Sequence, residues 1–297
     1  MDVPTAITGE AAGVPFVAVP PAAGTPPGSA PVVVAWHMMD APRTERAFAA
    51  ALPLDGLDAW RIYLGLPMCG ARLPAGGFEV IMRLGYEDAV LNLQGPVVTQ
   101  AAEEFPAVID ELRARLSLGD GPLNLVGGSI GAAVALTVAA EGAHPVDSMV
   151  LVSPLVQLRP AVDAMARQFG FDYPWSPASG EIAARLDFVA RADEIVMAGQ
   201  PAVLVVVGEK DDPAGFMEPA HALRDALAAR YAEQALTGDG GRGPAVPDAA
   251  DDRVRIVVVH GMAHAIADEP GMEPAPQTPH AAEVDRHAVD WLRATLP

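Results

Sequence analysis

A chain of 297 residues with 51% hydrophobic content can bury roughly three quarters of its unfolded surface, so its core needs no disulfide or metal staple. A formal charge of −19 argues against nucleic acid and anionic membrane surfaces as partners, because both select basic patches. The single cysteine, Cys69, excludes an intramolecular disulfide, and no apolar run approaches the roughly 20 residues of a spanning helix. Met1-Asp2-Val3-Pro4-Thr5 lacks the basic and apolar regions of a secretory signal, so a cytoplasmic protein is expected.

In chain order, residues 6–8 and 14–19 read as an opening antiparallel hairpin. The β-branched run 32–36 reads as a buried strand. A loop carrying His37-Met38-Met39-Asp40 follows, then a helix over 44–51. Residues 60–64 give another strand and 65–77 a long loop. Apolar residues at three- and four-residue steps predict helix over 86–116, interrupted at Gly95-Pro96 and near Pro106. The run Pro122 to Val126 reads as a strand, and the alanine-rich run 132–140, closed by Gly142, as a buried helix. Strands are expected over 148–152, 202–207 and 254–259, with helices near 219–231 and 281–294. Residues 237–252, dense in Gly, Pro and Asp, read as a mobile surface loop.

This alternation predicts the α/β class: a mostly parallel central sheet with helices on both faces, in one domain spanning 1–297. Residues 155–199 break the rhythm and hold Phe169, Phe171, Tyr173 and Trp175. They read as a small cap over the sheet. Its aromatics either line a substrate pocket or form a mini-core beneath the cap.

Between the strand at 122–126 and the helix at 132–140 stands Gly127-Gly128-Ser129-Ile130-Gly131. A serine on a sharp strand-to-helix turn is a nucleophile elbow. Its backbone needs φ > 0 to project the side chain clear of the sheet, and the residues two before and two after must be small. Gly127 and Gly131 meet that need. The backbone N–H of Ile130 would point at the same spot as the Ser129 hydroxyl. A serine hydroxyl needs a general base, and the base needs a carboxylate to fix its tautomer. The strand ending at Val207 is followed by Gly208-Glu209-Lys210-Asp211-Asp212, which offers Asp211 as the acid with Asp212 as runner-up. The strand ending at Val259 is followed by His260-Gly261-Met262-Ala263-His264. His264, several residues past the strand, is placed to swing back over the sheet as the base. His260 reads as a residue packed at the sheet's edge. Their four-residue spacing suits a metal pair only on a helix, and no metal is expected. Cys69 reads as structural, and Met38, Met39, Met68 and Met262 as either a soft apolar wall around the site or gap fillers.

The order Ser129, Asp211, His264, each after a strand, resembles the α/β-hydrolase superfamily in its serine esterase and lipase branch. The likeness covers nearly the whole chain, and its most specific marks are the elbow and Gly261-x-x-His264. It implies a Ser-His-Asp triad that cleaves a carboxylic ester through an acyl-enzyme, acting on a small-molecule acyl substrate without a cofactor. In the related enzymes the loop after the third strand carries His-Gly-x and supplies the second oxyanion donor. Here His37-Met38-Met39 stands there, which implies the Met39 N–H, with Met38 as the alternative, beside that of Ile130. Met38 in place of the glycine is the departure from the pattern. A peptidase, thioesterase or acyltransferase on the same scaffold shares the acyl-enzyme, and a non-catalytic binding member of the fold is the reading of a different class. The oligomeric state stays open.

Overall fold

The computed structural model describes residues 5–237 and 253–296; most of the predicted loop at 237–252 lies outside them. Strands β1 (Ile7–Ala11) and β2 (Val14–Val19) form the antiparallel hairpin, turning through Ala12 and Gly13 at φ 47° and 79°. That left-handed pair matches the twist of the flanking strands. β3 (Val32–Trp36), β4 (Trp60–Leu64), β5 (Leu123–Gly128), β6 (Val146–Val152), β7 (Ala202–Gly208) and β8 (Val254–Val259) complete an eight-stranded sheet of order β1-β2-β4-β3-β5-β6-β7-β8. From β4 to β8 every neighbouring pair is parallel, so the ends that follow these strands all gather at one edge.

The two-residue period of β3 shows why both faces are covered. Val32, Val34 and Trp36 point into one core and Val33 and Ala35 into the other. The second core is closed by α1 (Glu45–Ala51) and by α9 (Pro279–Thr295), through Phe48, Val284, Ala288 and Leu292. Thr44 caps α1 by accepting the Ala47 N–H at 3.1 Å. The first core is covered by α3 (Gly95–Leu116) and α4 (Ile130–Glu141), among others. Ten of the twelve residues of α4 are buried, which its alanines allow by letting neighbouring backbones approach on all sides.

Helix α2 (Phe78–Asp88) begins earlier than the expected start at residue 86 and passes through a π-helical turn, Val90–Gln94, into α3. The expected break near Pro106 does not occur, and α3 is continuous through it. Proline forfeits one bond to the preceding turn, but Phe105, Val108, Ile109 and Leu112 are all buried around it, and that packing outweighs the loss. Pro96 stands directly after the π-helical turn Val90–Gln94, at the start of α3.

Residues 155–199 contain α5 (Leu158–Gln168), α6 (Pro177–Arg185) and α7 (Ala192–Met197). An isolated bridge between Gln157 and Asp187 pinches this excursion at its base. Helix α7 packs beside α4 and α8 (Glu218–Thr237), so it joins the helical layer. Of the four aromatics, Tyr173 is buried, stacks edge-on against Trp175 and donates its hydroxyl to Asp88. Trp175 also carries the Arg159 guanidinium on its face at 3.9 Å. These two make a mini-core, whereas Phe169 and Phe171 are exposed. No helix among the described residues is long and apolar enough to cross a membrane.

Candidate active site

Ser129 sits between β5 and α4 at φ 48° and ψ −115°, a conformation costly for a residue with a Cβ. The turn is held by backbone bonds on both sides: the Ser129 N–H donates to Val152 O at 2.9 Å, and its own carbonyl accepts the Leu155 N–H at 3.1 Å. Its sharpness explains the glycines. A Cβ on Gly127 would lie 2.5 Å from the Ala132 backbone, and one on Gly131 2.4 Å from the carbonyl oxygens of Trp36 and His37. Neither neighbour is a flexible side-chain tip, so neither can yield.

Three side chains converge above this turn. The Ser129 Oγ lies 2.8 Å from His264 Nε2, and His264 Nδ1 lies 2.9 Å from Asp211 Oδ2. Ser129 and Asp211 are buried. The loops that deliver the acid and the histidine are tied to each other: the Lys210 N–H donates to Met262 O at 2.8 Å, and the Gly261 N–H donates to Glu209 Oε2 at 2.9 Å. Gly208 permits this approach, since a Cβ there would fall 2.3 Å from Met262 O. Asp211 Oδ1 accepts the Asp212 N–H at 2.8 Å, which leaves Oδ2 to receive the Nδ1 proton. That pairing fixes the neutral tautomer with Nε2 unprotonated and open to the serine proton. Asp212 points elsewhere: its Oδ1 accepts the Gly215 N–H at 2.7 Å and caps the turn Pro213–Met217. Phe216 of that turn lies against the His264 ring with centroids 4.2 Å apart.

The loop after β3 faces the same point. His37 is buried, and desolvation pushes its pKa down to about 4. The neutral ring pairs through Nδ1 with Met38 O at 2.7 Å and accepts the Leu66 N–H on Nε2 at 3.1 Å, so it braces the loop. The Met38 N–H donates to Pro42 O at 3.3 Å, which engages it away from the serine and leaves Met39 as the candidate donor. The Ile130 N–H opens α4, where a first-turn donor has no intrahelical acceptor. Arg43 ties this loop to the one after His264. Its guanidinium donates to Met39 O at 2.9 Å and to both oxygens of Glu269 at 2.8 Å, and its N–H donates to Gly271 O at 2.8 Å.

A cavity of about 310 Å³ with largely apolar walls meets the loop after β3 at Met39; its lining also includes Met68, Leu73, Phe78, Ile81 and Met272 but not Ser129, Asp211 or His264. Of the four methionines expected near the site, Met39 and Met68 line this cavity, while Met38 and Met262 are fully buried in the core. Cys69 also borders it, and burial pushes its thiol up to about 12, which keeps it a protonated, inert group. His260 is not packed at the sheet's edge: its side chain is 93% exposed and pairs with Glu209 at 2.7 Å. β8 is the edge strand of the sheet on that side.

Two contributors were not anticipated from sequence. Asp40 places Oδ2 3.8 Å from His264 Nε2, and the Arg43–Glu269 pair bridges residues 226 apart in the chain. The only sequence signal for Asp40 was its position one residue after Met39; for the pair there was none.

Comparisons with known proteins agree with this architecture. A family model described as the alpha/beta hydrolase fold matches residues 90–178. Among solved structures, Est1E from Butyrivibrio proteoclasticus is 13% identical with a TM-score of 0.59, covering 98% of each chain. Carboxyl esterase 2 from Tuber melanosporum is 15% identical with a TM-score of 0.51, covering 98% of this chain and 85% of that one. Dipeptidyl peptidase 4 from Porphyromonas gingivalis is 11% identical with a TM-score of 0.57, covering 98% of this chain but 35% of its own. No curated protein sequence matches the chain. With its mostly parallel eight-stranded sheet, the elbow between β5 and α4 and these structural neighbours, the chain has the α/β-hydrolase fold.

Proposed function

We propose that this protein is a serine hydrolase of the carboxylesterase type, with Ser129 as nucleophile, His264 as general base and Asp211 as the acid that orients it. The observation that carries the reading is the continuous chain of contacts, 2.8 Å from Ser129 Oγ to His264 Nε2 and 2.9 Å from Nδ1 to Asp211. In this reading His264 takes the hydroxyl proton as Oγ attacks the ester carbonyl. The backbone N–H groups of Ile130 and Met39 receive the oxyanion, a contribution of about 2.7–4 kcal/mol for each donor. The proton then passes from Nε2 to the leaving oxygen, the C–O bond breaks and the acyl-serine remains. Water, deprotonated by His264, releases the acid and restores the enzyme.

Structural neighbours that include esterases matched over nearly their full length support an ester over a peptide, since the matched peptidase carries this fold as about a third of its chain. A peptidase, thioesterase or acyltransferase would use the same three residues. The assembled triad speaks against a purely binding role, because a site that only holds a ligand has no use for a strained serine. We read the excursion pinched between Gln157 and Asp187 as a small cap within one domain, and the protein as cytoplasmic, acting on small acyl substrates without cofactor, nucleic acid or membrane.

The test is covalent. A fluorophosphonate probe should label Ser129 stoichiometrically, located by peptide mass spectrometry, and the label should be absent from Ser129→Ala and strongly slowed in His264→Ala. p-Nitrophenyl butyrate hydrolysis should vanish with the label. Folded protein that hydrolyses the ester equally well as Ser129→Ala sinks the assignment.

A further inference from the structure

We propose that Asp40 is a specificity-determining residue that selects esters whose alcohol half carries a positive charge or a hydrogen-bond donor; this rests on the triad reading above. The argument begins at His264 Nε2. That atom lies 2.8 Å from Ser129 Oγ, and in any acyl transfer at Ser129 it must hand its proton to the leaving oxygen, which therefore comes within hydrogen-bond reach of it. Asp40 Oδ2 lies 3.8 Å from the same nitrogen. The carboxylate is too far to replace Asp211 as the orienting partner and close enough to meet whatever the leaving oxygen carries.

Its other surroundings leave it available. The Asp40 side chain is 53% exposed, and among the described residues no donor hydrogen-bonds it. Arg43, the nearest cation along the loop, spends its guanidinium on Met39 O and Glu269. The carboxylate thus stands partly exposed beside His264 as a negative charge that, among the described residues, accepts no hydrogen bond. Met39, the residue before Asp40, borders the apolar cavity of about 310 Å³, near the lower limit for a small-molecule pocket. The alcohol half is cationic or donor-bearing and meets Asp40 beside His264 Nε2.

A charge pair about 4 Å apart in a water-like environment amounts to roughly five-fold in rate. The experiment measures inactivation by two phosphorothiolate esters that differ only in the leaving group, one bearing a trimethylammonioethyl thiol and the other its uncharged 3,3-dimethylbutyl isostere. In both, the bond from Ser129 Oγ to phosphorus forms as the P–S bond breaks, and the proton from Oγ leaves through His264 on the thiol. The readout is the ratio of the two rate constants, with each adduct located on Ser129. The ratio should exceed one by about five-fold in the parent and fall toward one in Asp40→Asn. It should hold in Asp120→Asn, which removes an exposed charge ahead of β5, at the opposite edge of the sheet. Labelling of Ser129 with the same ratio in the parent and Asp40→Asn overturns this proposal alone. A ratio that falls equally in Asp120→Asn overturns it too, by assigning the preference to the overall charge. Failure of both reagents to label Ser129 overturns the triad reading and this proposal with it.

Discussion

Replacing Asp211 by asparagine tests the orientation of the histidine with almost no change of shape. The carboxylate is buried, with Oδ1 accepting the Asp212 N–H at 2.8 Å and Oδ2 facing His264 Nδ1 at 2.9 Å. An amide there must keep its oxygen on the Asp212 N–H, because the reverse placement sets two donors against each other in a buried site. The NH₂ group then faces Nδ1, which can only accept. The ring is forced into the tautomer with its proton on Nε2, the atom 2.8 Å from Ser129 Oγ, and it can no longer take the serine proton. The imidazolium that forms during the reaction also loses its counter-charge. Together these should lower kcat by about 10⁴, the scale set by the same change in other serine triads, or about 5.5 kcal/mol of transition-state stabilisation. The assay is steady-state hydrolysis of p-nitrophenyl butyrate, with the fluorophosphonate labelling rate beside it and far-ultraviolet circular dichroism to confirm the fold. A loss under ten-fold in the folded variant would refute the tautomer argument. Asp212→Ala is the contrast: it removes the cap on the turn Pro213–Met217, costs about 1 kcal/mol of stability and should leave kcat within a few-fold.

Gly131→Ala should cost about 3 kcal/mol or more, since its Cβ would press on two carbonyl oxygens at 2.4 Å. Gly121→Ala, with open space around it, should be near neutral, and urea midpoints separate the two. Arg43→Ala should lower kcat about ten-fold with KM little changed, because it frees the carbonyl of Met39 and lets the oxyanion loop shift. Its loss of stability should stay near 1 kcal/mol, Glu269 being largely exposed, so a fall in activity that merely tracks unfolding would contradict the positioning role. For His37, burial holds the folded pKa at about 4 against 6.5 when unfolded. The unfolded chain therefore binds the proton first. Stability is fully present above pH 6.5 and is lost as pH falls toward 4, by up to about 3 kcal/mol. Urea unfolding between pH 5 and 6.5 should show this slope, and His37→Asn should flatten it.

The elbow was legible in the sequence because its constraints are local. A φ above zero at Ser129 and a near contact two residues either side act within five consecutive positions, and only Gly127 and Gly131 satisfy them. The parallel strands were legible for a similar reason: short β-branched runs buried on both faces have few other ways to satisfy their backbones. Helix α3 was misread because a proline's local cost is visible in sequence, while the burial of Phe105, Val108, Ile109 and Leu112 that outweighs it is not. Asp211 and Asp212 are adjacent and chemically alike. Only the folded chain distinguishes them, by giving one the histidine and the other a helical turn to cap. The approach of Asp40 to His264 and the Arg43–Glu269 tie join segments more than 220 residues apart. Periodicity and turn chemistry describe what a residue does to its neighbours in the chain. Contacts of this kind arise only when β3 and β8 end at the same edge of one sheet, and that is a property of the tertiary structure alone.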